Sequence, residues 1–232
     1  MIALSWSRIS DYRQCPHKFK LKYLDKAANF QMKDEDKSPA LVRGGNIHKQ
    51  LEKVLVYKLM NMDLSKEVFL PEVTACIPLI DGFITNYSMR GELQVAVDDQ
   101  FKQVSWYDKK AYFRVIYDLI GKGDELLLGD WKTGKFTDYT GTMRELGQLH
   151  MAAVVGMSIY PEFDDCSSVY LYVDHKRPIK CKVHKDDIPQ MKDTLMTEHF
   201  AINEDTQFDP KKNRYCHFCD AVKDQCSFST KY

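Results

Sequence analysis

The run Leu126-Leu127-Leu128-Gly129-Asp130-Trp131-Lys132 constrains this chain more than any other segment. Three consecutive leucines show no polar alternation, so they read as a strand buried on both faces and central in a sheet. Yet the strand ends in an acid and a base. Asp130 and Lys132 are two apart, so in an extended chain both side chains leave the same face. Charges at the end of a buried strand need a partner, either another charge or a metal. Upstream, Tyr117-Asp118 closes a second extended segment, and Gly121-Lys122-Gly123-Asp124 between the two is turn-forming chemistry. An odd-length loop, for instance one centred on Gly123, would set Asp118 opposite Leu128, one diagonal step from Asp130. Both carboxylates and the lysine would then share a face. An even loop would turn Asp118 away.

Two carboxylates and a lysine suit phosphodiester hydrolysis. That reaction needs a hard cation to polarise a phosphoryl oxygen and lower the pKa of a water. Carboxylate oxygens favour Mg²⁺ or Mn²⁺, and Mg²⁺ is usually held by one or two carboxylates with several waters retained. A neighbouring lysine can orient the attacking water or neutralise the phosphorane.

The whole chain bounds this reading. Its 232 residues fit one domain with appendages, or at most two small ones, and 44% hydrophobic content supports a proper core. No apolar run approaches the ~20 residues that span a bilayer, and the first residues, Met1 to Arg8, lack the pattern of a signal peptide, so a cytoplasmic location is expected. Net charge is zero, with 33 basic and 33 acidic residues, so nucleic-acid binding would have to come from a local patch. Arg8, Arg13, Lys18, Lys20, Lys22 and Lys26 form one candidate and Lys211-Lys212-Asn213-Arg214 another. Tyr12, Phe19, Tyr23 and Tyr215 interleave with them, which suits base stacking or a small core.

Seven cysteines without a secretory signal read as metal or redox chemistry rather than a disulfide framework. Cys216, Cys219 and Cys226 cluster near the end, and Cys15 is a distant fourth candidate. Cys76, Cys166 and Cys181 are expected to be structural.

Periodicity predicts a short helix capped by Ser7, a second with Pro16 in its first turn, and a polar loop over 29–39 around Lys33 to Lys37. Helices are expected at 40–61 and 73–89, then strands at 93–97, 101–106, 111–120 and 125–132. Thr142-Met143-Arg144-Glu145 fits a capping box opening a helix to about Ile159. Strands at 169–173 and 179–183 and a helix over 187–202 complete an α/β (α+β) fold, a mixed central sheet flanked by helices.

In order along the chain these residues resemble the PD-(D/E)xK nuclease superfamily. The closer similarity is to its RecB-like branch, which includes the nuclease domains of RecBCD and AddAB and the CRISPR-adaptation exonucleases. Tyr12-x-x-Cys15-Pro16-x-x-Phe19-x-x-x-Tyr23 resembles the N-terminal segment of that branch, and Gly44-Gly45-Asn46-Ile47-His48 its Gly-x-x-His helix start. Tyr117-Asp118 matches the first acidic motif, Asp130-Trp131-Lys132-Thr133-Gly134 the Asp-(Tyr/Phe)-Lys-Thr-Gly motif, and Gln148-Leu149 the glutamine helix. Three positions depart: Ala152 stands where a tyrosine is usual, Trp131 replaces Tyr or Phe, and Val115 replaces a glycine.

The resemblance implies a restriction-endonuclease-like core. His48, Asp118, Asp130 and the Trp131 carbonyl would form a Mg²⁺ or Mn²⁺ shell, with Lys132 positioning the nucleophilic water and Gln148 beside the site. Glu92 could join it. Cys15 with Cys216-x-x-Cys219-x₆-Cys226 resembles the staple that binds a [4Fe–4S] cluster in this branch, for which four thiolates are required. Zn²⁺ at the same four cysteines is the alternative, with His17 or His217 able to substitute. On this basis residues 1–28 would form an N-terminal helical segment, 40–203 the nuclease core and 204–232 a cysteine-rich tail packing on the N-terminal segment.

The expected activity is a divalent-metal-dependent deoxyribonuclease, a single-strand-preferring exonuclease in recombination, repair or replication. Its expected partners are single-stranded DNA or DNA ends and a helicase or recombination protein, with no membrane. The alternative is a catalytically inactive nucleic-acid-binding or recombination-partner protein on the same fold.

Overall fold

The computed structural model describes residues 1–31, 38–134, 136, 147–175 and 177–231. The chain forms two compact units: Met1–Ser38 together with Thr197–Tyr232, and Pro39–Met196.

The first unit opens with α1 (Trp6–Gln14) and α2 (Pro16–Phe19), Pro16 standing at the first helical position, where its missing N–H would be unsatisfied anyway. One wide turn, Lys20–Leu24, prolongs α2. Phe19 is fully buried and stacks at 6.2 Å on Phe208, while Tyr12 meets it edge-on at 5.5 Å. Three of the aromatics considered for base stacking therefore belong to a small core; Tyr12, Phe19 and Tyr23 are joined through ring contacts. Several of the basic residues are also neutralised locally: Lys18 and Lys22 both pair with Asp11 at 2.8 Å, and Arg13 binds Glu198.

The second unit begins with α3 (Pro39–Leu59), followed by α4 (Pro71–Thr74) and α5 (Ile77–Asn86). Its strands are β1 (Ser88–Arg90), β2 (Leu93–Val97), β3 (Gln103–Val104), β4 (Phe113–Tyr117), β5 (Leu119–Lys122), β6 (Leu126–Lys132), β7 (Asp165–Tyr172) and β8 (Arg177–His184), with α6 (Gly147–Ile159) between β6 and β7. The helix α7 (Ile188–Glu204) then carries the chain back to the first unit. Five strands form a sheet in the order β1-β5-β6-β7-β8, and three form a second in the order β3-β2-β4. Among the described strands, β6 and β7 run parallel and the other pairs are antiparallel. The architecture is a mixed α/β fold with a mixed central sheet flanked by helices.

As its leucine run implies, β6 is the middle strand, and Leu126, Leu128 and Leu127 are buried. Leu127 and Trp131 pack in one cluster with Ile47, Leu51, Val54 and Leu55 of α3. The even-numbered residues of β6 take the other face, where α6 lies. That helix is apolar nearly all round, as a helix covered on every side must be. Its Gly156 is so close that a Cβ there would stand 2.5 Å from Leu128 Cδ1. Gly129 is equally crowded, because a Cβ would meet Leu119 at 2.6 Å across the β5–β6 ladder.

Several boundaries differ from the sequence reading. The strand expected over 111–120 is two strands in two sheets, parting at Asp118. The helix expected over 73–89 divides at Cys76, which sits buried at the start of α5 and precedes Pro78. The strand expected over 101–106 shrinks to two residues, because Phe101 adopts a left-handed φ of 56° in a turn closed by Asp98. Cys166 and Cys181 lie inside β7 and β8 rather than beside them. The capping box at Thr142–Glu145 and the polar stretch Lys33–Lys37 fall outside the described residues.

Candidate active site and cysteine cavity

Antiparallel pairing sets Leu119 opposite Gly129 and Ile120 opposite Leu128. The loop is three residues long, Gly123 to Glu125, and centres on Asp124. It is odd, as shared facing requires. It lies one residue later than the centre considered from sequence, because Gly121 and Lys122 are strand rather than turn. Regular pairing ends at Leu119 opposite Gly129, and the Asp118 amide donates to that same Gly129, so Asp118 lies at the edge of the ladder rather than one diagonal step from Asp130 in a continued register.

Asp118 sits where the chain leaves one sheet for the other. Its amide still donates to Gly129 O at 3.1 Å, the last backbone bond of that ladder. Beyond it β4 runs off to pair with β2, so the next inward amide of β6, that of Trp131, has lost its backbone acceptor. The Asp118 carboxylate takes that role, its Oδ2 accepting the Trp131 N–H at 2.7 Å. The other oxygen, Oδ1, faces His48 Nδ1 at 3.3 Å.

His48 reaches this point because α3 runs close to the end of β6. Gly44 is the residue that permits it, since a Cβ there would lie 3.0 Å from Thr133 Oγ1. Gly45, the glycine that the Gly-x-x-His spacing singles out, has open space around it. His48 follows Gly44 by four residues and so shares its helix face. The hydrogen bond to Asp118 raises its pKa above the ordinary histidine range, against burial, which lowers it.

Asp130 Oδ1 accepts from Gln148 Nε2 at 2.7 Å, and Lys132 Nζ stands 2.6 Å from Asp130 Oδ2. Lys132 thus occupies Oδ2 as a close ion pair. Burial raises the Asp130 pKa; Lys132 opposes the rise and Asp118 adds to it. Gln148, at the start of α6, also accepts from Lys132 Nζ at 3.2 Å. The side chains fall into two bonded groups, His48 with Asp118 and Asp130 with Lys132 and Gln148, whose charges act on one another. Trp131 contributes its amide and a side chain buried in the core. Glu92 lies ahead of β2, is exposed, and accepts from Gln94 at 3.2 Å; no hydrogen bond joins it to either group.

Sequence reasoning missed Tyr170. In the parallel register it stands beside Asp130. Its hydroxyl donates to Gln148 Oε1 at 3.1 Å, and its ring lies 4.6 Å from Lys132 Nζ. With Tyr170 and Lys132 both donating to Oε1, the Gln148 amide can only present Nε2 to Asp130. Tyr117 plays a related part, its buried hydroxyl donating to Ala152 O at 2.8 Å and tying α6 to the strand that leads into Asp118. Neither tyrosine has a local signal, since each partner lies 20 to 40 positions away in sequence.

Two carboxylates and an imidazole near the end of β6, one of the carboxylates paired with Lys132, are a donor set that fits a hard divalent cation. Among the described residues, however, no three His, Cys, Asp or Glu side chains are drawn up as a ready-made metal-binding group.

In the first unit, Cys15, Cys216, Cys219 and Cys226 line a single cavity of about 210 Å³. Backbone amides of Lys211 and Asn213 point at the sulfurs of Cys15 and Cys216, at 3.4 and 3.3 Å. The walls come from both ends of the chain, held together by His17 Nε2 against Gln225 O at 2.7 Å and by Asn213 Nδ2 donating to Gln14 O at 3.0 Å. His217 instead packs on Phe218 at 4.0 Å.

The family model of the PD-(D/E)XK nuclease superfamily matches residues 3–227. This chain therefore belongs to that superfamily. No curated protein matches the sequence. Among solved structures the fold is similar to that of SSO0001, at 13% identity and a TM-score of 0.50, over 95% of this chain and 84% of the other. It is also similar to a candidate exonuclease from Eubacterium rectale, at 13% identity and a TM-score of 0.51, over 94% and 86% of the two chains. At that identity the likeness is one of fold.

Replacing Tyr170 by Phe removes one hydrogen bond from the Gln148 amide and leaves the ring in place. The turnover number for nucleic-acid hydrolysis should fall about fivefold, the equivalent of ~1 kcal/mol, with the thermal midpoint little changed. Turnover equal to wild type would mean that the hydroxyl does not hold Gln148.

Proposed function

We propose that this protein is a divalent-metal-dependent deoxyribonuclease acting as an exonuclease on single strands or DNA ends. The observation that carries the reading is the convergence of His48, Asp118, Asp130, Lys132 and Gln148 at the end of a buried central strand. Membership of the nuclease superfamily supports it. So does the name of the Eubacterium rectale structure, as far as exonuclease action goes.

In this reading His48, Asp118 and Asp130, with the Trp131 carbonyl, hold Mg²⁺ or Mn²⁺. The cation supplies Lewis-acid polarisation of the scissile phosphate and acidifies a water. The protein's own groups do the rest. Asp130 is fixed on both oxygens, Oδ1 by the Gln148 amide and Oδ2 by the Lys132 ammonium. Lys132 sits between the Asp130 carboxylate and the Gln148 amide oxygen, so its ammonium is fixed where it can orient the nucleophilic water and offset charge on the phosphorane. Gln148 and Tyr170 hold that geometry.

The four-cysteine cavity is read as a [4Fe–4S] staple joining the two ends of the chain. Four sulfurs on one cavity, with backbone amides directed at two of them, support it. Zn²⁺ uses the same ligands, so iron, sulfide and zinc analysis of anaerobically purified protein decides between them. Loss of both metals from Cys15→Ser and Cys219→Ser variants is expected; full metal content in those variants would remove the staple. A DNA-helicase or recombination partner and a cytoplasmic location belong to the same proposal. Among the described residues no helix is long and apolar enough to cross a membrane.

The test of activity is Mg²⁺- or Mn²⁺-dependent degradation of end-labelled linear DNA, with circular DNA as the control for end dependence. Asp130→Ala and Lys132→Ala should each lower the rate at least a hundredfold. Undiminished activity in both variants would refute the site.

A further inference from the structure

The β3-β2-β4 sheet has one face that the active site leaves unused. Alternation along β4 puts Phe113, Val115 and Tyr117 on one side and Arg114 and Ile116 on the other. The first side is core, with Phe113 and Tyr117 closed off and Val95 and Val97 of β2 buried beside them. The second side is open. Ile116 is 47% exposed and pairs with exposed Gln94. Arg114 pairs with Ala96, and its guanidinium carbon stands 5.5 Å from the ring centre of Trp106. That arrangement spans β2, which accounts for Ala96 being buried on a side otherwise open.

Arg114 lacks what a half-buried cation normally has. Its Nε is sealed from solvent with no hydrogen-bond partner, and among the described residues it makes no ion pair. The nearby acids serve their own turns: Asp98 accepts the amides of Gln100 and Lys102, and Asp108 that of Lys110. Next to Trp106 stand Tyr107, which is 85% exposed, and the exposed Lys109 and Lys110. The guanidinium charge has no acid opposite it among the described residues, so this face is short of an anion and rich in uncovered aromatic and apolar surface.

We infer that this face is a track for single-stranded nucleic acid leading into the active site, with a phosphate on Arg114 and bases on Trp106, Tyr107 and Ile116. The inference rests on the nuclease reading above and names how that site takes its substrate. Arg114 lies on β4 four residues before Asp118, roughly 13 Å at ~3.3 Å per residue, so a strand lying along β4 is led towards Asp118. Single strands fit because stacking on aromatic side chains requires bases freed from a duplex, and because such contacts combine with cations that follow the backbone. An acidic peptide would satisfy Arg114 but leave the aromatic and apolar surface unused.

The test is fluorescence anisotropy of end-labelled oligothymidylate in EDTA, where hydrolysis is off, followed by KM for its degradation in Mn²⁺. Arg114→Gln should weaken binding about tenfold, and the dependence of log affinity on log salt should flatten by ~0.7 to 1. KM should rise by a similar factor. Tyr107→Ala, which removes an exposed ring and cannot disturb the core, should weaken binding about fivefold. Affinity and KM unchanged in both variants, with the wild type still degrading DNA, would overturn the track and spare the nuclease reading. Binding that depends on Arg114 in a wild type that hydrolyses nothing would keep the track and sink the nuclease reading. Arg114-dependent binding of polyglutamate in preference to oligothymidylate would also overturn it.

Discussion

The structure turns on the parting of two strands at Asp118. Up to that residue β5 satisfies β6 by backbone pairing; beyond it the chain belongs to another sheet. A central strand buried on both faces cannot leave an amide unpaired without a penalty of ~1–3 kcal/mol, and the carboxylate of Asp118 removes that penalty by accepting the Trp131 N–H. The same bond fixes the carboxylate beside Asp130. Fold and site are therefore built from one contact: what completes the ladder also brings two acids together at the end of a hydrophobic strand.

Around this point the polar groups form two bonded sets. Gln148 gives its amide hydrogen to Asp130 and receives bonds from Lys132 and Tyr170, and His48 bridges from α3 to Asp118. Such networks in a dry setting hold geometry well when satisfied and are costly when broken. Asp130 itself is held on both oxygens, by Gln148 and by Lys132. The glycines nearby serve approach. Gly44 lets α3 reach the strand end, Gly129 makes room for Leu119, and Gly156 lets α6 settle on Leu128.

Much of this was legible in sequence. Three leucines without alternation announced a central strand, and the two-residue spacing of Asp130 and Lys132 announced a shared face. The ordered motifs led to the superfamily that the family comparison assigns. What escaped was non-local. The exact loop centre depended on Gly121 and Lys122 remaining strand, which pairing with β1 on the far side decides. The break at Asp118 is invisible in a run such as Phe113-Arg114-Val115-Ile116-Tyr117, whose β propensity is continuous. Tyr170 could not be read, because only the parallel register of β6 and β7 places it beside Asp130. The basic and aromatic N-terminal residues were ambiguous in sequence, and packing resolves several of them into ion pairs and a small core.

The most direct measurement is a crystal soaked in Mn²⁺ and read by anomalous scattering. If the carboxylates that meet at the end of β6 form a cation site, one strong peak should appear in contact with both Asp118 and Asp130, with His48 turned towards it. A map with no peak there at saturating Mn²⁺, or with the cation bound elsewhere and the two acids untouched, would contradict the account.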